Sequence, residues 1–160
     1  MTTCEALGRI KMTIRFMSTK TRLGVFETNS SSCHTFQFSN VDVRNHGKPL
    51  GPVYVPGTGW YEWGPDKVYG WEGKADYFAI LFKEYPDKLA LLKKVLEEEL
   101  GVEVFLNEDE DGSAGDGDID HQSSICELQY RENPGDWDEG KLKDFIFNNN
   151  CWIEISNDNI

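Results

Sequence analysis

The chain has 160 residues, of which 39% are hydrophobic and 12% aromatic, enough material for one hydrophobic core without disulfides or structural metals. Sixteen basic residues against 28 acidic residues give a formal net charge of −12, which excludes a basic face for direct binding to nucleic acid. The same charge suits a partner with a basic surface, although acidity also serves solubility alone.

Cysteine usage and hydropathy both favour a soluble chain of the cytoplasm. Cys4, Cys33, Cys126 and Cys151 are irregularly spaced, and no secretory leader precedes them, so we expect reduced thiols. No apolar stretch approaches the ~20 residues that a membrane helix needs. The sequence therefore predicts no membrane contact, and it leaves the oligomeric state open.

The N-terminal part predicts strands. Apolar and polar residues alternate over residues 10–16, which is typical of a strand with one buried face. Met17 is an alternative start, so residues 1–16 are either part of the core or a variable N-terminal extension. A second strand is predicted at residues 23–26, followed by a polar turn. In the next strand His34, Phe36 and Phe38 share one face, so His34 begins on the apolar side.

The middle of the chain combines a long loop with two helices. Residues 45–73 are rich in Gly, Pro and aromatic residues, which predicts a loop that packs on the body, with one short strand at Val53–Val55. An aromatic-lined pocket is the alternative for this loop. Residues 74–84 are apolar nearly all round, as in a buried helix. A second helix is predicted from Pro86 to Leu100, with leucines on one face and Gly101 at its end.

The C-terminal part continues with a strand at residues 102–106, an acidic mobile loop at 107–120 and a short helix at 124–131. A helix at 139–147 and a final strand at 151–155 follow. Strands and helices come in mixed blocks without regular β-α-β alternation. We therefore predict one α+β domain spanning residues 1–160, with a mixed or antiparallel sheet covered by two to four helices.

The most suggestive polar segment lies between the predicted N-terminal strands. Residues 26–34 read FETNSSSCH, so five consecutive amide and hydroxyl side chains, at residues 28–32, are followed by Cys33 and His34. Backbone N–H groups and hydroxyls in such a turn can cradle a phosphate or carboxylate, and histidine can act as an acid, a base or a ligand. The alternative is a hydrogen-bonded turn whose histidine caps the apolar face, and the sequence alone favours that alternative.

Three separated segments carry a family resemblance. FETNSSSCH, then DHQS at residues 120–123 and FIFNNNCWIEISNDN at 145–159, resemble a family of small bacteriophage proteins with FETNSSSxH near their start. The resemblance implies a phage origin, the host cytoplasm as location, and a single cleft where the segments meet, but no mechanism. The chain departs from the family pattern in the residues before Met17.

The cleft implied by this resemblance provides the functional expectation. Its candidate catalytic residues are His34, Asp120 and His121, and its candidate ligand-binding residues are Asn29, Ser30, Ser31, Ser32, Gln122, Ser123 and Asp158. These groups suit proton transfer or phosphate handling, but equally a pocket without a reaction, so enzymatic activity stays open. We expect a phage accessory protein that binds a small phosphorylated or nucleotide-like ligand. Whether it also processes that ligand stays open. The alternative is an acidic inhibitor that binds a basic surface of a host defence or nucleic-acid-binding protein.

Other chemistries fit the sequence less well. The spacings of structural zinc sites are not found among Cys33, His34, His121 and Cys126. We therefore predict no metal site from these residues. Residues Asn107–Asp118 match part of a calcium loop, but a solvated acidic loop is the favoured interpretation and a divalent cation the minor one. A Ser31-His34-Asp120 hydrolase lacks the GxSxG motif.

Overall fold

A computed structural model describes residues 32–61, 66–119 and 134–157 of the chain. Its elements confirm the predicted α+β class. In chain order they are β1 (Ser32–Gln37), β2 (Val53–Val55), β3 (Trp60–Tyr61), β4 (Asp66–Val68), α1 (Trp71–Leu81), α2 (Pro86–Leu100), β5 (Val104–Leu106), β6 (Asp118–Ile119), α3 (Glu139–Phe147) and β7 (Trp152–Asn157). The strands are distributed over three small sheets.

The largest sheet is antiparallel, with β7 between β1 and β4. His34 pairs with Ile155 and Phe36 with Ile153, and all four side chains are buried on the same face. The alternation predicted for β1 is therefore confirmed, although Phe38 lies beyond the strand and is 44% exposed. One face of this sheet supplies part of the core and fixes the direction in which His34 points.

Two short parallel pairs complete the sheet structure. β2 pairs with β5, and β3 pairs with β6, so the segment from Val53 to Tyr61 runs alongside residues 104–119. The sequence predicted β2 and β5 but neither β3 nor β6, because strands of two residues carry no readable periodicity. These pairs position the acidic residues between β5 and β6 against the 57–60 segment.

The three helices agree with the sequence signals to within a few residues. α2 spans the predicted residues and ends at Gly101, whose φ of 71° is the left-handed conformation that glycine adopts without strain. α3 also has its predicted bounds, and Asp138 caps it by accepting a hydrogen bond from the Lys141 N–H at 2.8 Å. α1 begins and ends three residues earlier than predicted, because a tight turn at residues 82–85 leads into α2.

The core is dominated by aromatic rings from different elements. Phe36 of β1, Phe78 of α1 and Phe145 of α3 surround Trp137, with ring centroids 4.6 to 5.4 Å from that indole. Most contacts are edge-on, the arrangement that aromatic quadrupoles favour. This cluster joins the large sheet to the helices and explains why the loop before α3 is anchored.

Several predictions concern residues outside the described ranges. These are the strands at 10–16 and 23–26, the helix at 124–131 and the N-terminal extension at 1–16. Among the described residues, no helix is long and apolar enough to cross a membrane.

Candidate functional site

His34 is the one candidate catalytic residue within the described ranges, and it is buried. Its side chain is 4% exposed and faces α1, where His34 Nδ1 lies 2.8 Å from the hydroxyl oxygen of Tyr77. Tyr77 is fully buried, so its hydroxyl holds the imidazole in one orientation. Ser32, the first residue of β1, is the only described member of the predicted ligand-binding set.

The other members of the predicted cleft lie outside the described residues. They are Asn29, Ser30, Ser31, Asp120, His121, Gln122, Ser123 and Asp158. Their meeting with His34 therefore stays a prediction. Within the described ranges, His34 packs among Tyr77, Phe36 and Ile155 on the inner face of the large sheet.

Asn148 has a structural role. It lies in the asparagine-rich part of residues 145–159, the third segment that carries the family resemblance. Asn148 is 3% exposed, and its Oδ1 accepts hydrogen bonds from the N–H groups of Val43 and Asn150, both at 3.0 Å. Its Nδ2 donates to the carbonyl of Val41 at 3.1 Å. Asn148 thus fastens the 41–43 segment to the end of α3, with both its amide oxygen and its amide nitrogen hydrogen-bonded, as expected of a buried amide.

A buried lysine stabilises the same end of α3. The Lys74 Nζ donates to the carbonyl oxygens of Phe145, Asn148 and Cys151, each at 2.9 Å, so all three ammonium hydrogens are used. These carbonyls belong to the terminal turn of α3 and the residues after it, where helix carbonyls lack internal partners and favour a cation. Burial lowers the pKa of Lys74 to about 8. We call Lys74, Asn148 and Cys151 the α3 latch.

Sequence reasoning missed the role of Lys74. The residue stands at the start of an apolar window, and this exception to the pattern was the available signal. Cys151 is a buried free thiol, and burial raises its pKa above the usual value. Burial and a raised pKa both disfavour the reactive thiolate, and Sγ accepts a hydrogen bond from the Ser39 N–H at 3.4 Å, so we assign a structural role to the latch.

A second polar arrangement fixes the backbone at residues 57–59. The Asp76 carboxylate accepts hydrogen bonds from the N–H groups of Gly57 at 2.7 Å and Gly59 at 3.0 Å. The Tyr61 hydroxyl lies 3.2 Å from Asp76 Oδ2, and burial, together with this carboxylate, raises the Tyr61 pKa. Asp76 therefore holds the segment that leads into β3.

The 57–59 segment crosses closely over the residues that precede β6. Gly117 donates to the Gly57 carbonyl at 2.8 Å, and a Cβ atom at Gly117 would collide with the Gly57 and Gly59 carbonyl oxygens. Glycine is therefore required at position 117 for the backbones to approach. This crossing determines where Asp116 and Asp118 lie relative to Trp60.

The outer face of the β3–β6 pair combines an aromatic side chain with carboxylates. Trp60 and Asp118 are register partners, and both are exposed, whereas their neighbours Tyr61 and Ile119 turn towards the core. Paired residues in a sheet project from the same face, so Asp118 and Trp60 share this face, and Asp118 Oδ1 also accepts a hydrogen bond from the Ile119 N–H at 2.9 Å. Trp60 is 62% exposed, unusually high for tryptophan. We call Thr58, Trp60, Asp116 and Asp118 the Trp60 face.

The acidic residues between β5 and β6 form a hydrogen-bonded hairpin. Asp109 N–H donates to the Ser113 carbonyl at 3.0 Å, and Gly112 N–H donates to the Asp109 carbonyl at 2.8 Å. Gly112 adopts a φ of 77°, which closes the turn. We call residues 107–116 the acidic hairpin. Its Glu108, Glu110, Asp111 and Asp116 side chains are exposed.

The hairpin does not assemble the calcium loop that its sequence partly matches. The Asn107 amide donates to the Ala79 carbonyl at 3.1 Å, and Asp111 accepts from the Ser113 N–H at 2.9 Å, so these side chains serve the local backbone. Asp118 lies outside the hairpin on β6. Within the described ranges, no group of three or more His, Cys, Asp or Glu residues could hold a metal ion.

Comparison with known proteins adds no relative. No family model, curated protein or solved structure matches the chain. The candidate site is therefore argued from the geometry and charge of the chain itself.

The distribution of charge distinguishes the acidic hairpin from the rest of the molecule. Residues 95–130 contain twelve of the 28 acidic residues and none of the 16 basic residues. The remainder of the chain thus carries sixteen charges of each sign, and the whole formal charge of −12 comes from this stretch. In the described part of the chain, no Lys or Arg forms an ion pair with the carboxylates from Glu103 to Asp118.

Carboxylates of the same stretch that lie on α2 are paired, unlike those of the hairpin. Glu99 on α2 accepts from Lys143 at 2.9 Å and Arg44 at 3.3 Å, and the hydrogen bond from Lys143 lowers the Glu99 pKa. Arg44 also contacts Asp42 and Asp144, which ties the 42–46 segment to both helices. Among the described residues of the 95–130 stretch, the three glutamates of α2 are therefore paired, whereas the carboxylates of the acidic hairpin and β6 have no cationic partner.

Proposed function

We propose that the chain is an acidic binding protein whose acidic hairpin docks on a basic surface of a protein partner. The observation that carries the proposal is the concentration of the entire net charge in residues 95–130, with exposed and unpaired carboxylates on a hydrogen-bonded hairpin. A charge field of one sign steers and orients an oppositely charged partner. The resemblance to small phage proteins makes a host defence or nucleic-acid-binding protein the expected partner.

The hairpin is suited to this role because its shape does not depend on the exposed carboxylates of Glu108 and Glu110. Its backbone hydrogen bonds and the Gly112 turn define the loop, while Glu108 and Glu110 extend into solvent. A preorganised loop loses little conformational freedom on binding. The carboxylates are therefore free to form contacts with a partner.

Charge reversal on the hairpin tests the proposal with a nona-arginine peptide as probe. We expect Glu108→Lys combined with Glu110→Lys to lower the affinity for the peptide about tenfold in 50 mM salt, as measured by titration calorimetry. The matched control is Glu84→Lys with Asp136→Lys, which changes net charge equally at exposed positions outside the acidic stretch. We expect this control to weaken binding less than about twofold. Equal weakening by both pairs would show a mere net-charge effect and overturn the proposal.

A second candidate is the binding of a small phosphorylated ligand in the predicted Ser/His/Asp cleft. The observation in its favour is the 2.8 Å contact between His34 and Tyr77, since a fixed imidazole orientation is what an acid, base or ligand-binding role requires. The burial of His34 makes this candidate weaker than the acidic hairpin.

The melting temperature of the chain, measured with and without ADP or inorganic phosphate, tests whether the predicted cleft binds either ligand. Binding to the folded chain at 100 times Kd would stabilise it by about 2.7 kcal/mol. We expect this shift to disappear in His121→Ala and in the conservative His34→Gln. Absence of any shift in the wild-type chain would reject both ligands, and a shift retained in both variants would reject the histidine roles.

A further inference from the structure

The Trp60 face has a composition that neither burial nor folding explains. Tryptophan is the largest apolar side chain, yet Trp60 exposes 62% of its surface on a two-residue strand. The neighbouring Tyr61 turns inward, packs against Tyr77 at a ring distance of 5.0 Å and is held by Asp76. Tyr61 therefore anchors β3, and Trp60 is available for contacts with another molecule.

The surroundings of Trp60 specify the charge of such a molecule. Asp118 is the register partner of Trp60, and Asp116, two residues earlier in the chain, is also exposed. In the described part of the molecule, every lysine that lies over an aromatic ring does so elsewhere, on Phe38, Phe105, Trp137, Phe145 or Trp152. An indole face with adjacent carboxylates attracts a cation through both the ring quadrupole and the charges.

We infer that the Trp60 face binds an arginine side chain of a basic protein partner, with the guanidinium stacked on the indole and paired with Asp118. Arginine fits better than lysine because its planar guanidinium stacks on aromatic rings and forms two parallel hydrogen bonds to a carboxylate. This inference rests on the proposed function and identifies the central contact of the same acidic surface. The hairpin carboxylates, at the rim, steer the partner, and the indole supplies the desolvated contact.

The position of the face supports a central role. The Gly117 crossing joins β6 directly to the acidic hairpin, so Asp118, the register partner of Trp60, is only two residues from the end of the hairpin at Asp116. Interfaces characteristically place an aromatic anchor among charged residues that exclude water at the rim. We infer the same arrangement for the Trp60 face and the acidic hairpin.

Substitution of Trp60 tests the inference with nona-arginine and nona-lysine peptides of equal length. We expect Trp60→Leu to weaken nona-arginine binding about fivefold, because exposed cation–π contacts contribute roughly 0.5–1 kcal/mol. Trp60→Phe should weaken binding less than Trp60→Leu does. Asp118→Asn should weaken binding by about the same factor as Trp60→Leu. Tyr69→Leu is the matched control, because Tyr69 is also exposed, at 48%, but adjoins Trp152 on the large sheet. We expect nona-arginine to bind the wild-type chain more tightly than nona-lysine.

The possible outcomes separate this inference from the proposed function. If the hairpin reversal weakens binding but Trp60→Leu does not, the acidic docking surface stands and the Trp60 contact is overturned. If neither substitution has an effect, both proposals fall. If Trp60→Leu and Tyr69→Leu weaken binding equally, or if Trp60→Leu instead turns a dimer into a monomer in sedimentation, the face does not bind a basic partner and the inference is overturned.

Discussion

The α3 latch and the acidic hairpin use polar residues in opposite ways. In the latch, Lys74 and Asn148 are buried, and their side chains form hydrogen bonds with backbone groups of residues 41–43 and 145–151. In the hairpin, carboxylates are exposed and have no cationic partner among the described residues. Buried polar groups without partners would destabilise the fold, whereas exposed carboxylates contribute little to it. The latch therefore serves stability, and the hairpin is free to serve binding.

The largest effect is expected from Lys74→Met. The substitution keeps much of the side-chain volume but removes three hydrogen bonds from the ammonium, and of the three carbonyls Asn148 keeps the donation from the Cys151 N–H, so we expect a loss of about 3 kcal/mol. In a chain of this length that loss lowers the melting temperature by roughly 10 °C. The exposed Lys83→Met is the control and should change stability by less than about 0.5 kcal/mol. Thermal or urea unfolding measures both.

The pH dependence of the stability of the wild-type chain, compared with that of Lys74→Met, tests whether Lys74 is charged. Burial lowers the Lys74 pKa to about 8, below its value of about 10.4 in an unfolded chain, so the unfolded state binds more protons between these values. The contribution of Lys74 to stability therefore rises with pH across that window, by at most about 1.4 kcal/mol per unit. We expect the difference between wild type and Lys74→Met to grow from pH 8 to 10. A constant difference would show that the three carbonyls keep the ammonium protonated.

These results define how far the sequence predicts the fold. Pro86, the leucine spacing and Gly101 determine α2 locally, and the alternation of His34 and Phe36 determines the inward face of β1. The burial of Lys74 could not be predicted, because its acceptors lie about 70 residues away along the chain. The pairing of β3 with β6 likewise depends on a long-range crossing, so the Trp60 face was not among the predicted sites.

The predicted site shows the same division between local and long-range information. The orientation of His34 towards the apolar side follows from its strand periodicity and is confirmed. Its partner Tyr77 comes from α1, 43 residues later, and no local pattern indicates that contact. The clustering of net charge could have been found from the sequence by asking where the lysines and arginines are absent rather than where the acidic residues are most dense.

An intermediate effect is expected from Asn148→Ala. The substitution removes the acceptor of the Val43 and Asn150 N–H groups and one donor to Val41, and a loss of about 2 kcal/mol is expected. The adjacent Asn149→Ala is the control, because the Asn149 side chain is exposed and only its backbone N–H is bonded. Urea unfolding should separate the two variants. If they were equally stable, the side chain of Asn148 would not be what fastens the 41–43 segment to α3.

The smallest effect on stability is expected from the charge reversal on the acidic hairpin, the same variant for which we expect the largest loss of binding. Glu108→Lys with Glu110→Lys should change the free energy of unfolding by less than about 0.5 kcal/mol, since both side chains are exposed and the turn depends on backbone bonds and Gly112. Relief of repulsion among the hairpin carboxylates could even stabilise the chain slightly, and more at low than at high salt. Urea unfolding of this variant beside Lys74→Met measures the contrast directly. A loss comparable to that of Lys74→Met would mean that the carboxylates maintain the hairpin, and the separation between a polar latch for folding and a charged surface for binding would fail.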